Sequence, residues 1–284
     1  MGVISEIERD LARQRSRARE DGAPELRTST MTHVVWAPPR WQPTVRRVLA
    51  GLQERHPART ILLFPEPGRG DAVASKASVR EFALDDVGRE VISEVIEVRL
   101  RGRPALHPAS LVLPLLLSDL PAFCRWRGEP GWRSSAFAEI TGVVDRLVVD
   151  SAEWRSQARG YGKLTRLYPR LAVSDLAFRR TLPWRVRLAE RWPEIRSVRL
   201  LEVTGPRADA LLLAGWLRSR LRRTIALRVT SAREVVAVAV DGNPVDAPVG
   251  DAATPSALLS AELDVLSRDP VYEAAARAAT KPPR

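Results

Sequence analysis

Apolar residues along the 284-residue chain change their spacing several times, and each change predicts an element. Val3, Ile4, Ile7 and Leu11 recur at helical intervals, so a short amphipathic helix opens the chain, followed by an Arg-rich connector to about residue 30. MTHVVWA, residues 31–37, is an apolar run of strand length. Trp41, Val45, Val48, Leu49 and Leu52 then share one helix face, and RTILLF, residues 59–64, is a second buried strand. Strand, helix, strand in this order is a βαβ unit. KASVREFAL and ISEVIEVRL alternate with period two, as in a sheet with one covered face. HPASLVLPLLLSD predicts a helix with Pro108 in its first turn, and PAFCRW and DRLVVD predict strands around the short helical pattern SSAFAEIT.

Near residue 150 the pattern changes. Residues 150–175 are polar, open on Asp150 with Glu153 three positions later, and lack an evident strand, which predicts a helical bridge. SVRLLEV then reads as a strand and GPRADALLLAGWLRSRL as a helix, with Pro206 in its first turn and Asp209 near its positive end. IALRVT and VVAVAV read as a hairpin joined by SARE, with DGNP as the turn that ends it. PSALLSAELDVLSRDPVYEAAARAA predicts two short helices broken at Pro270. The expectation is an α/β (α+β) protein of two domains, each a mixed β-sheet with flanking helices. Their bounds are an N-terminal helix and connector over 1–30, an α/β domain over 31–150, a helical bridge over 151–173 and a C-terminal α/β domain over 174–284.

Composition narrows the function classes. Apolar residues make up 45% and charged residues 28%, values that exclude wholesale disorder. No apolar run approaches the roughly 18–20 residues that cross a bilayer, and the first twenty residues carry acids and arginines where a signal peptide needs an apolar centre, so a cytoplasmic protein is expected. A single cysteine, Cys124, allows no internal disulfide and reads as a small core residue. His33, His56 and His107 are too scattered for a zinc site; His33 and His56 read as facing a core edge or solvent. Net charge is +11, yet only Lys76, Lys163 and Lys281 of the 45 basic residues are lysines, and acids are interspersed. That pattern favours a solvated surface over a nucleic-acid face.

Familiar chemical motifs fail on single positions. GRGDAV has Val73 where a dinucleotide fingerprint needs its third glycine. GYGKLT has Leu164 where a phosphate loop needs a hydroxyl. No G-x-S-x-G elbow occurs, and the Asp85–Asp86 pair sits in a polar loop without the burial that general acid–base work requires. Tryptophan beside arginine is the pairing favoured at binding hot spots, and it occurs on irregular or terminal segments at Trp126, Arg127, Trp132, Trp184 and Arg185. These five are the candidate partner-contacting residues.

SDLAFRRTLPWRVRLAERW, residues 174–192, concentrates such features. Asp175 or Ser174 can cap a helix, Pro183 breaks it, and a new helix would place Trp184, Leu188 and Trp192 on one face with Arg185, Arg187 and Arg191 on the other side. Together with HPARTILLF, HPASLVLPLLLSDLPAFCRW, ALLLAGWLRSRL and DPVYEAAARAA, in this order, the stretch resembles the glucose-6-phosphate dehydrogenase assembly proteins called OpcA. The family's junction signature maps onto Asp175, Leu176, Phe178, Arg180, Thr181, Pro183, Trp184 and Arg185, with Phe178 where a tryptophan is expected. A pair of tryptophans in the family appears here as Arg125 and Trp126. The resemblance implies a non-enzymatic, cofactor-free partner of glucose-6-phosphate dehydrogenase that promotes its active oligomer. Two other classes remain open from the residues alone: a basic nucleic-acid or polyanion binder, and a sugar-phosphate sensor gripping phosphate with Arg180 and Arg185.

Overall fold

The computed structural model describes residues 2–20, 29–52, 55–68, 70–84, 89–250 and 252–280. Residues 21–28 of the Arg-rich connector and the Asp85–Asp86 pair lie outside the described residues; the connector's first part, to Glu20, instead continues the N-terminal helix. The chain forms two compact units, one of Met1–Val148 with Pro255–Leu266, the other of Val149–Thr254 with Ser267–Arg284.

In the first unit the apolar runs become strands β1 (Met31–Trp36), β2 (Ala58–Pro65), β3 (Ala72–Leu84), β4 (Arg89–Arg101), β5 (Ala122–Trp126) and β6 (Arg146–Val149). They lie side by side in the order β3-β4-β2-β1-β5-β6, all parallel except β3, which pairs antiparallel with β4. Residues of β1 and β5 are buried on both faces, which is why their runs read as continuous rather than alternating. Helix Gln42–Ala50 is the crossover between the parallel strands β1 and β2, as the βαβ pattern predicts.

The N-terminal helix, Val3–Glu20, buries Ile7 and Leu11 and packs along β3, the edge strand. Its Gln14 carboxamide donates to Ala77 O at 2.9 Å and accepts from Val79 N at 3.0 Å, so one side chain supplies the backbone partners that an absent neighbouring strand would. A buried ion pair sits beneath it. Arg59 on β2 donates to Glu94 on β4 at 2.6 Å and to Glu8 of the helix at 2.9 Å. Helix Pro255–Leu263 belongs to this unit although it is distant in sequence; its Ser256 hydroxyl donates to Val48 O, and its Glu262 pairs with the buried Arg146 at 2.9 Å.

The second unit contains β7 (Ala172–Asp175), β8 (Leu200–Gly205), β9 (Ala226–Ser231), β10 (Ala237–Val240) and β11 (Asn243–Val245). The last four form a mixed sheet in the order β11-β10-β8-β9. Helix Arg207–Leu221 connects the parallel neighbours β8 and β9. Its apolar side packs with Leu201, Val203, Val238, Trp184 and Leu188 into one core.

Four local expectations are corrected. β9 and β10 do not form a hairpin: they flank β8 on opposite sides, because the parallel crossover places β9 at one edge and leaves the other for β10. The true hairpin joins β10 to β11 through Asp241 and Gly242, both at positive φ (48° and 81°), the backbone that tight hairpin turns need. HPASLVLPLLLSD is not one helix but short turns at Ala109–Val112 and Leu113–Leu115, since Pro114 supplies no N–H and its ring obstructs a continuous turn. The bridge does hold a strand, the four-residue β7, too short to show a period. Trp192 is 60% exposed, because helix Leu182–Glu190 ends before it and the helical spacing no longer applies.

Helix Arg207–Leu221 and helix Pro270–Ala279 pack tightly at Gly215, where an added Cβ would lie 2.2 Å from Ala275 O and 3.0 Å from Ala279 N. Both obstacles are backbone, so relief requires separating the helices. Gly215→Ala is therefore expected to destabilise the protein by about 2–3 kcal/mol, read as a lowered urea midpoint with an unchanged slope; a midpoint equal to wild type would show that the close crossing is dispensable.

Candidate functional site

Two arginine–aromatic clusters emerge, one in each unit. In the first, the chain proceeds from β1 to β2 on one side of the sheet and later returns as β5 on the other. Ligands of open α/β sheets gather outside the strand carboxyl ends at such a reversal. β1 ends in Trp36 and β5 in Trp126, paired in register, and their rings stack at 4.7 Å with 10° between planes. Phe137 meets Trp126 edge-on at 5.0 Å and Trp132 at 5.7 Å, so it links the two predicted tryptophans. Phe137 is fixed at the start of helix Ser135–Val143, whose N-cap Ser134 accepts from its N–H.

Just past these strand ends lie Arg40, Trp41 and Arg127. The Arg127 main-chain N–H donates to Trp36 O at 2.9 Å, extending the β1–β5 pairing by one residue. Its guanidinium lies 4.2 Å from the Trp41 ring centroid, and that of Arg40 lies at 5.3 Å, a doubled cation–π contact. Gly128 permits this closure. It sits at φ +80°, and a Cβ there would stand 3.1 Å from both Arg40 Nη2 and Trp41 Nε1. Of the predicted residues, Trp126 is buried at 3% exposure, Arg127 nearly so, and Trp132 is half-buried with its indole N–H donating to Glu129. Trp36, Trp41, Phe137 and Arg40 complete the cluster without having been predicted as site residues; the alternation of Trp and Arg at both strand ends was the available signal.

The second cluster is built by the junction stretch. Asp175 ends β7 and caps helix Leu176–Arg180, accepting from Ala177 N at 2.9 Å and from Ser151 N at 3.0 Å. Arg180 then forks to two carboxylates at once, contacting both oxygens of Asp150 at 2.9 Å and those of Asp209 at 2.9 and 3.0 Å. Its guanidinium is therefore engaged structurally and is not the phosphate grip considered from sequence. Burial opposes its charge, but the two carboxylates outweigh this and raise its pKa further. Burial also raises the Asp209 carboxyl, while two short contacts to a permanently charged guanidinium keep it the ionised partner. Asp175 is different. Burial first, then the neighbouring Asp150 charge, push it up to about 7, against the weaker pull of Ser151 and Ala177.

Around this network the remaining predicted residues take their places. Trp184 is 6% exposed in the core, with its indole N–H donating to Val235 O at 3.2 Å. Arg185 is half-buried, its guanidinium 3.8 Å from the Phe178 ring centroid. Tyr161, Tyr168 and Tyr272 are fully buried nearby, Tyr161 bonded through its hydroxyl to Ser151 at 2.8 Å.

Other chemistry finds no assembled site among the described residues. GYGKLT forms the end of helix Gln157–Leu164 and its C-cap Thr165, not a phosphate-cradling loop. His56 and Ser260 make a 2.7 Å hydrogen bond that sequence spacing could not reveal, with Asp264 3.9 Å from the other ring nitrogen. Ser260 and His56 are 4% and 7% exposed, so the hydroxyl offers no face to a substrate. His33 is also buried rather than at a core edge, and desolvation, then His56 and Arg125, lower its pKa to about 3. Burial pushes the Cys124 thiol up to about 12, which leaves it unreactive. No group of three metal-ligating side chains occurs among the described residues, and none of their helices is long and apolar enough to cross a membrane.

The fold and these clusters define an α/β protein with arginine–aromatic groups at its strand and helix ends. Residues 50–166 match the model of the OpcA family, described as the glucose-6-phosphate dehydrogenase subunit N-terminal domain, the family that the resemblance implies. No curated protein matches the chain.

Two outcomes follow from the second cluster. Arg180→Ala removes the bidentate partner of the 1%-exposed Asp209 and the same guanidinium from Asp150, so a loss of about 3–5 kcal/mol in unfolding free energy is expected by denaturant titration. Asp175 has a folded pKa above its ordinary value, so between about pH 4 and 7 the folded state holds a proton that the unfolded state has released. Stability should thus fall as pH rises through this window, by up to about 1.4 kcal/mol per pH unit from this group. In Asp175→Asn that component of the slope should vanish while the capping oxygen is kept; an unaltered pH profile would contradict the buried-acid assignment.

Proposed function

We propose that the chain is a non-catalytic partner of glucose-6-phosphate dehydrogenase that binds this enzyme in the cytoplasm and promotes its active oligomer, as an allosteric activator within the oxidative pentose phosphate pathway. It needs no cofactor or metal of its own. The family match over residues 50–166 carries this reading. Support comes from the arginine–aromatic clusters, whose residue types suit protein recognition. Activation requires only that the chain bind the active oligomer more tightly than the inactive form, and the shift in population is limited by that difference in affinity.

Within this reading the five candidate residues divide by exposure. Trp132 and Arg185 offer part of their surface for contact, and Arg127 does so marginally. Trp126 and Trp184 act from beneath, Trp126 through Phe137 and Trp184 through its packing in the second unit's core. The test is co-elution of the full chain with its organism's own dehydrogenase on a sizing column, with the enzymatic rate assayed across the peak. A larger, faster complex is expected, and Trp132→Ala or Arg185→Ala should weaken it about tenfold with unchanged melting. Separate peaks with an unchanged rate would sink the proposal.

A further inference from the structure

The end of the second unit's sheet at which β8 and β9 begin carries a group of cations that the fold leaves unmatched. These strands are parallel neighbours, so helix Arg207–Leu221, which joins them, has its C-terminus at this end too. The Arg223 guanidinium donates to Arg196 O, and Ala226 N donates to Arg199 O at 2.8 Å. The turn Glu194–Ser197 before β8 is thereby tied to the connection before β9. Ile195, Val198 and Ile225 point inward and close the core here, which turns the polar residues between them outward.

Arg196, Arg199, Arg220, Arg222 and Arg223 are all exposed, and none of them forms an ion pair among the described residues. Arg59, Arg146 and Arg180 behave differently, since each holds a carboxylate. Trp192 stands beside the group, 60% exposed, with the Arg196 guanidinium 5.4 Å from its ring centroid. Arg222 ends its helix at φ 53°, in the left-handed region where glycine is the usual residue, so a long cationic side chain is kept where the backbone disfavours it. Glu194 is the sole acid of residues 191–199 and 218–225, and the adjoining Asp241 carboxylate accepts from Arg199 N at 3.1 Å and Leu200 N at 2.8 Å.

Resting on the partner assignment above, we propose that this end of the second unit receives an acidic surface of the dehydrogenase, with Trp192 as the apolar anchor and the five arginines around it meeting carboxylates. Unmatched cations on adjoining segments repel one another, and an anionic partner relieves that repulsion. The residue types suit a protein: the cations are all guanidiniums, whose planar forks take carboxylates in pairs, and tryptophan with arginine is the pairing that anchors protein interfaces. Nucleic acid fits less well. Single strands stack successive bases on successive rings, and Trp192 has no second exposed ring beside it among the described residues. Glu194 and Asp241 would also stand against a run of phosphates, whereas a folded partner can set neutral donors opposite them.

The test is calorimetric titration of the full chain into the purified dehydrogenase, comparing wild type with W192A, R220E, R196E/R220E and R47E. The last makes the same charge change as R220E at an exposed arginine of the first unit. All the altered side chains are exposed, so the variants should keep the wild-type melting temperature, and a thermal scan checks this. Should the double reversal melt lower, R196Q/R220Q, which removes both cations without adding carboxylates, takes its place. Expected are about tenfold weaker binding for W192A and for R196E/R220E, an intermediate loss for R220E, little change for R47E, and wild-type affinity that falls with added salt. Binding that survives unchanged in W192A and R196E/R220E, or that R47E weakens as much as R220E, would overturn this surface while leaving the partnership intact. Displacement of the dehydrogenase by a single-stranded oligonucleotide that itself fails to bind R196E/R220E would reassign the surface to polyanions and so overturn the proposal. A wild-type chain that does not bind the dehydrogenase overturns the partnership and this surface with it.

Discussion

Arg180 is the group on which the second unit depends. Its guanidinium joins the turn after β6, through Asp150, to the first turn of helix Arg207–Leu221, through Asp209, and does so from the end of the helix that Asp175 caps. Three segments distant in sequence thereby meet at one planar cation. Four N–H···O contacts fix its orientation as well as its position, a geometry that lysine could not reproduce. With that corner set, helix Leu182–Glu190 can turn Trp184 and Leu188 into the core while Arg185 stays at the edge over Phe178. Asp175, held beside this cluster with no ion pair among the described residues, takes up the excess acidity by retaining its proton to about neutral pH.

The first unit rests on a different principle. Its parallel strands are buried on both faces, and two of the arginines enclosed with them are matched in place, Arg59 with Glu94 and Glu8 and Arg146 with Glu262. Each pair joins elements far apart in the chain, so burial of charge here specifies which segments may pack together. The aromatic ladder at the strand ends adds the same kind of constraint. Trp36 and Trp126 stack because β1 and β5 are adjacent and in register, and that adjacency was fixed by the apolar runs behind them.

What could be read from sequence follows from how local each determinant is. β1, β2 and β5 were legible because continuous burial needs continuous apolar runs, and the Val3–Glu20 helix because Ile7 and Leu11 declare a face. The pairing of β9 and β10 was not, since their flanking of β8 is decided by a crossover and leaves no mark in either strand. β7 was missed because four residues are too few for a period. The five candidate residues were chosen by type, and type alone could not tell Trp132, which keeps an open edge, from Trp184, which the core absorbs. His56 and Ser260 stand 204 positions apart, so their hydrogen bond was invisible to any spacing argument. The same holds for Arg180 with Asp150 and Asp209: the acids and the arginine are plain in the sequence, but their convergence is a property of the fold.

The Gln14 carboxamide occupies backbone positions on β3 that would otherwise be open to another chain. An exposed thirteen-residue strand would invite pairing with copies of the same chain. By closing the ribbon's margin with one amide, the N-terminal helix withholds indiscriminate main-chain pairing at that border and leaves side chains, which can tell one neighbour from another, to face whatever approaches it.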